Sequence, residues 1–263
     1  MEAKGYYILP LDADDIIEPS YLEKAMQIFS DNPQVNLVIA DLEGFFMDEE
    51  MDTRRNSAKP KNTFSWPIPE WDPIDLLKKN KFHCSAVFKK SVWQVAGGYD
   101  PSLPFGWEDW DFWIRVVERG SLIPRTIPEP LFKYRVRSNS MHQFCVKYFS
   151  ICYALLQTMH PYLYTFEEVL QAHEIIANNS AHILEGINTK IEKFPYLTKP
   201  QLWKGICQEK HFNPKRPWCI QSYQRAIDNE LTPTAMVYKG THLHFQCSPC
   251  RPQTRLATME TPH

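Results

Sequence analysis

The chain has 263 residues, 43% hydrophobic and 23% charged, with a formal net charge of −2. That length suits one globular domain with an appendage, or two small ones. The near-neutral balance excludes a global field that would gather nucleic acid or an anionic membrane. The 7 cysteines are an odd number scattered over a chain of ordinary size, and they read as reduced thiols, not a disulfide framework.

In chain order, the apolar run Tyr6-Tyr7-Ile8-Leu9-Pro10-Leu11 predicts a buried strand over 6–11. Ser20 and Glu23 form a capping-box pattern that opens a helix to about Ser30, stopped before Pro33. Val35 to Ala40 predicts a second strand, and the polar, Pro-containing residues 47–70 predict a loop. Asp72-Pro73 places a cap and a first-turn proline before a helix ending near Lys79. A strand is expected over Phe82–Phe88. A short helix over Ser91–Ala96 is closed by Gly97-Gly98. Trp107 to Arg119 predicts a helix ending at Gly120, with Trp110, Trp113, Ile114 and Val117 as its apolar stripe. Leu131 to Val136 predicts another strand.

Strands and helices alternate to about residue 140, which argues an α/β fold. Beyond it only helices are expected, around 142–160, 165–193 and 217–230, and residues 232–263 read as a disordered tail. No secretory signal and no uninterrupted apolar span is visible, so the expected location is cytoplasmic, without a transmembrane segment. The most apolar window, Phe144–Leu156, is broken by Lys147. It reads as a buried helix, with peripheral membrane contact as the alternative.

Three segments carry residue types suited to chemistry. The first is Asp12-Ala13-Asp14-Asp15, just after the first strand. In an extended or turning backbone, side chains two apart point the same way, so Asp12 and Asp14 would converge on Mg²⁺ or Mn²⁺. Turn formation and helix capping account for the same residues without a metal. The second is Gly97-Gly98-Tyr99-Asp100 followed by Gly106-Trp107-Glu108-Asp109-Trp110-Asp111. Glu108 and Asp109 open a helix, whose N-terminus favours their charged forms, and both are expected to be ionised at neutral pH. A carboxylate there would take a proton from a sugar hydroxyl while the tryptophans stack on sugar rings. Asp111 has a structural partner in Arg115, four residues on. The third is Tyr134-Arg135-Val136-Arg137, whose arginines project to one side of a strand and would clamp a diphosphate, or else stand solvated on an exposed face.

In this order and spacing the three segments resemble an inverting family 2 glycosyltransferase of the GT-A fold. The matching residues are Leu11-Asp12-Ala13-Asp14-Asp15 with Pro19, Gly97-Gly98-Tyr99-Asp100, Gly106 to Phe112 with Arg115, and Tyr134-Arg135 with Ser140-Met141. The resemblance covers roughly residues 5–145. It implies a partial GT-A mixed sheet flanked by helices over 1–141, a helical extension over 142–231, and the tail. It implies that Asp109 is the general base and that Glu108, Trp107 and Tyr99 hold the acceptor. Asp12, Arg135 and Arg137 would bind the donor diphosphate, and Asp14 with Asp12 would hold Mn²⁺ or Mg²⁺. The partners would be a nucleotide-sugar donor, UDP-linked, and a carbohydrate or other hydroxyl acceptor. Arg137 stands where many members carry a metal-ligating His.

The resemblance also implies a nucleotide-recognising loop and further βα units ahead of the Asp12 strand. The chain therefore reads as the second half of a catalytic domain, expected to bind nucleotide poorly by itself. The competing readings are a non-catalytic descendant that binds carbohydrate or protein through the Trp-lined cleft, and a metal-dependent phosphohydrolase. His242, His244, Cys247 and Cys250 have zinc-ligand residue types in a compressed spacing, and Cys145 with Cys152 reads as core packing.

Overall fold

The computed structural model describes residues 3–46, 61–119, 122–137 and 140–208. The expected helix at 217–230, the tail with its His and Cys cluster, and Gly120 lie outside them. Six strands form one mixed sheet: β1 (Tyr7–Ile8), β2 (Ile16–Ile17), β3 (Leu37–Phe46), β4 (Lys61–Trp66), β5 (Val87–Lys89) and β6 (Pro124–Arg135). The order is β1-β5-β3-β6-β2, with β4 also paired to β3. β3 and β6 run parallel, and every other pairing is antiparallel.

The long parallel pair decides where a ligand can sit. The carboxyl ends of β3 and β6 emerge on the same side, which is where open α/β sheets place their sites. Leu37, Val38, Ile39 and Ala40 of β3 are fully buried, as expected of a strand covered on both faces. Helix α1 (Ser20–Asp31) packs Tyr21, Ala25 and Phe29 against Val38, Ala40 and Ile127 on one face. On the other, α2 (Lys90–Ala96) and α3 (Glu108–Arg119) pack against Leu37, Ile39 and Phe88.

After residue 140 come α4 (Met141–Lys147), α5 (Phe149–Met159), α6 (Phe166–Asn178), α7 (Ser180–Lys193) and α8 (Thr198–Gln208). Their buried residues, from Ile151 to Ile206, belong to the same continuous core as Leu37 and Trp113. The helical part is therefore built onto the sheet and shares its interior. This explains why α3 is buried all round instead of along one stripe: Phe112, Val116, Asp111, Arg115 and Glu118 are buried along with the expected Trp110 and Trp113.

Several local expectations are corrected. The strands expected over 6–11 and 82–88 shorten to Tyr7–Ile8 and Val87–Lys89, because these segments pair with each other for only two residues. The helix after Asp72-Pro73 is a single 3-10 turn at Asp75–Leu77. The Asp72 carboxylate accepts the Ile74 N–H at 2.9 Å and closes a local turn where a helix cap was expected. Helix α1 begins as expected, but Pro19 precedes it with no side-chain cap, so the preset proline φ of −53° starts the helix without the Ser20–Glu23 box. Residues 61–66, read as loop, form β4.

Gly97 and Gly98 close α2 at φ of +75° and +82°, in the left-handed region. Arg115 fixes this turn by donating to Ala96 O and Gly98 O, both at 2.6 Å, and pairs with Asp111 at 2.6 Å. His160, fully buried, gives its Nε2 to Asp111 Oδ1 at 2.9 Å, and its Nδ1 lies 3.6 Å from Glu118 Oε2. Tyr162 donates to Glu118. This buried ionic network joins α3 to the segment after α5.

Candidate functional site

At the carboxyl ends of β3 and β6 lies a cleft of about 460 Å³. Asp12, Asp14, Trp107, Glu108, Asp109, Arg135 and Arg137, the residues singled out in three distant segments, all line it. Tyr99 does not. Its ring packs edge-on against Trp93 and tilted against Phe112 of α3, with ring centroids 4.9 Å away in each case. Burial is the first cause that raises its hydroxyl pKa, followed by the charge of Asp109, and Glu108 and Asp12 of the cleft add to it.

Helix α3 presents the acidic end of the cleft. Gly106 and Trp107 enter it at φ of +112° and +64°. A tryptophan in the left-handed region costs on the order of 1 kcal/mol or more and persists only where its surroundings hold it. The Trp107 ring is wedged edge-on between Trp110 and Phe149, with centroids at 5.0 and 5.3 Å. The strained entry turns Trp107, Glu108 and Asp109 together towards the cleft.

Asp109 accepts the Trp110 N–H at 2.7 Å and the Asn80 side-chain amide at 3.0 Å. Burial first, then the neighbouring Glu108 charge, push its pKa up from 3.8 to about 7 against these two hydrogen bonds. The expectation of full ionisation is corrected on this point. Helix-end stabilisation is worth a fraction of the desolvation that Asp109 undergoes on burial. A carboxylate poised near neutrality suits proton abstraction better than one fully ionised.

At the other end, the backbone turns at the acidic cluster instead of continuing extended. Asp15 N–H donates to Asp12 O at 3.1 Å, so residues 12 and 15 are the two ends of a tight turn and Ala13 and Asp14 its corner. Asp14 points from that corner to Arg137, 2.6 Å away. Asp12 converges instead with Asp15 and Cys84, and their donor atoms lie within 4.8 Å of one another. Asp15 Oδ1 accepts the Arg135 N–H at 2.9 Å, whereas Oδ2 is shut off from solvent with no hydrogen-bond partner among the described residues. Burial, followed by the Asp14 and Asp12 charges, raises Asp15 to about 6. The donor types and the orphaned oxygen fit a divalent cation, with Asp12 in common with the expected pair and Asp15 in the place of Asp14.

Sequence reasoning missed Asn80, His83 and Cys84, and it quoted Asp15 within the acidic segment without giving it a role. His83 lines the cleft, stacks on Phe132 at 4.4 Å and donates Nε2–H to Ala40 O at 3.0 Å. Burial holds its pKa down at about 4, so it is neutral and its Nδ1, unpartnered among the described residues, is a hydrogen-bond acceptor. Nothing local in Asn80 to Cys84 marks these residues, because long-range packing brings the segment beside α3 and the Asp12 turn. Asp15 had a signal, its place as the fourth residue of a turn.

No protein-family model matches the chain. Over 129 residues it is 26% identical to an uncharacterized glycosyltransferase of Haemophilus influenzae, spanning 49% of this chain and 42% of that protein. Over 134 residues it is 30% identical to an uncharacterized glycosyltransferase of Methanocaldococcus jannaschii, spanning 51% of this chain and 43% of that protein. Each match spans less than half of the relative's length. The crystal structure of S. aureus TarS 1-349 overlaps with a TM-score of 0.38 at 13% identity, covering 86% of this chain and 57% of that one.

Proposed function

We propose that this chain carries the acceptor side and the diphosphate end of a glycosyltransferase site of GT-A type. The reaction is transfer of a sugar from a nucleoside diphosphate sugar, UDP-linked, to an acceptor hydroxyl with inversion. One observation carries this reading: a carboxylate tuned to about pH 7, Asp109, shares a single cleft with Arg135 and Arg137. Direct displacement at an anomeric carbon needs a base at the incoming hydroxyl and positive charge at the departing diphosphate. The similarity to proteins named as glycosyltransferases supports the same class.

In this mechanism Trp107 provides a face for the acceptor ring, and Glu108 accepts hydrogen bonds from its hydroxyls. Asp109 takes the proton of the attacking hydroxyl as its oxygen bonds to the anomeric carbon. The bond from that carbon to the β-phosphate oxygen breaks, and the electron pair leaves with the diphosphate. Asn80 holds Asp109 in place through Oδ2. Arg137 leaves Asp14 to neutralise phosphate, aided by Arg135. A divalent cation, expected as Mn²⁺ or Mg²⁺ and held by Asp12 with Asp15, would supply further charge neutralisation at the diphosphate.

The test is release of UDP from UDP-glucose and UDP-N-acetylglucosamine, with the anomeric configuration of the product read by NMR. Inverted product, dependent on Asp109, supports the reading. Carbohydrate binding without turnover points to a non-catalytic binding cleft, a reading that the closed Asp14–Arg137 pair favours.

A further inference from the structure

Trp66 closes β4 and lines the cleft, yet it is 50% exposed and makes no ring contact among the described residues. The neighbouring exposed aromatics are accounted for by the fold. Phe64 lies over Gly44, where a Cβ would come within 2.1 Å of its ring, and it packs against Phe46 at 6.2 Å. Trp66 has no such seat, although its backbone is held on both sides. It stands opposite Leu42 in the β3–β4 register, and two residues on the Ile68 N–H donates to the Asp41 carboxylate at 2.8 Å. The strand is thus fixed before a ligand arrives, while the apolar face of the indole stays in water, a cost that stacking would recover.

Cross-strand partners share a face, so Trp66, Leu42 and Phe132 form one row across β4, β3 and β6, about 10 Å from the first strand to the third. All three line the cleft. His83 stacks on Phe132 at the end of that row, and its buried Nδ1 has no donor among the described residues. An apolar floor with one unmet acceptor suits a ring that offers a C–H face to the floor and a hydroxyl to the nitrogen. β4 and β2 lie on opposite sides of the β3–β6 pair, so the Trp66 end of the row is away from the Asp14–Arg137 end of the cleft. Trp107, which faces the acceptor ring in the proposed reaction, belongs to another wall, wedged between Trp110 and Phe149.

We infer that Trp66 is the platform for a second sugar ring of the acceptor, beyond the ring on Trp107, so that the acceptor is a glycan of at least two residues. The inference rests on the sugar-transfer reading of the cleft. It is tested by binding of the acceptor alone: absence of turnover leaves this subsite standing, and absence of the subsite leaves transfer to a one-ring acceptor standing.

The test is calorimetry on the full chain with two pairs of probes, glucose with cellobiose and N-acetylglucosamine with chitobiose. In at least one pair the disaccharide should bind about tenfold tighter than the monosaccharide, the order lost when an aromatic anchor is truncated. Trp66→Ala should erase that gain while monosaccharide and UDP affinities stay within a few-fold. Trp66→Phe should keep part of the gain and Trp66→Leu, apolar but without a ring face, should lose it, a pattern that altered packing alone does not produce. Should Trp66→Ala fail to fold, the Phe and Leu variants carry the test. No disaccharide gain in either pair overturns the proposal, as does a gain that survives Trp66→Ala. Monosaccharide affinity that falls with the substitution overturns it too, because both indoles would then serve one ring. Loss of UDP affinity in Trp66→Ala would put the indole against the uracil and overturn the acceptor assignment.

Discussion

Asn80 donates its side-chain amide to Asp109 Oδ2 at 3.0 Å, tying the segment before β5 to the first turn of α3. The bond favours the ionised form of a carboxyl that burial and Glu108 have raised to about 7. Its removal should raise that value further. In Asn80→Ala the acidic limb of the pH–rate profile should therefore move to higher pH, with the plateau rate reduced because Asp109 is less firmly aimed. A profile that keeps its limb and only loses amplitude would mean that Asn80 acts on packing alone.

The same carboxyl predicts a pH-dependent stability. Asp109 binds its proton more tightly in the folded chain than in the unfolded one. Stability is thus lost as pH rises from the ordinary carboxylate value of 3.8 to about 7, and it levels off above. Asp109→Asn removes this loss. The variant should melt at a higher temperature than the parent at pH 8, and the two should converge near pH 4. Thermal unfolding at the two pH values checks it.

The site was legible in the sequence where a motif carries its own geometry. Glu108 and Asp109 open a helix after Gly106, and Arg135 and Arg137 alternate on a strand end, so each pair could be placed from local rules. Asp14 could not, because the extended and turned conformations of residues 12–15 send it to different partners, and only the hydrogen bond between Asp15 and Asp12 decides. Asn80, His83 and Cys84 owe their roles to tertiary packing and have no local signature. In the fold, β4 was passed over although Thr63-Phe64-Ser65-Trp66 alternates with period two, and the helices expected at 142–160 and 165–193 each break in two, at Tyr148 and at Asn179.

The Arg137–Asp14 ion pair predicts a split between binding and chemistry. Arg137→Ala removes a charge that would meet the diphosphate, and hydrogen bonds to charged groups are worth about 1.5–3 kcal/mol, or roughly 10–150-fold. UDP affinity should fall by that order, measured by calorimetry. Asp14→Asn, which releases Arg137, should leave UDP binding equal or tighter.

His160 predicts a second pH effect, opposite in origin. Burial alone would lower its pKa, but hydrogen bonds and charge from Asp111 and Glu118 outweigh it and raise the folded value above 6.5. Stability from the protonated ring is complete below 6.5 and is lost as pH rises through the folded value. His160→Gln should flatten the alkaline decline in melting temperature. Arg115→Leu leaves Asp111 buried with one cationic partner fewer and should cost about 3–5 kcal/mol, read by urea unfolding.

The most direct test of the proposed function is UDP release and sugar transfer from a UDP-sugar by the parent and by Asp109→Asn, with folding of both checked by circular dichroism. A positioned general base contributes about 10²–10⁴-fold, so the variant should lose at least 100-fold in kcat while UDP affinity stays within a few-fold. A folded Asp109→Asn protein that transfers sugar at the parental rate would contradict the assignment of Asp109 as the base and, with it, the reading of the cleft.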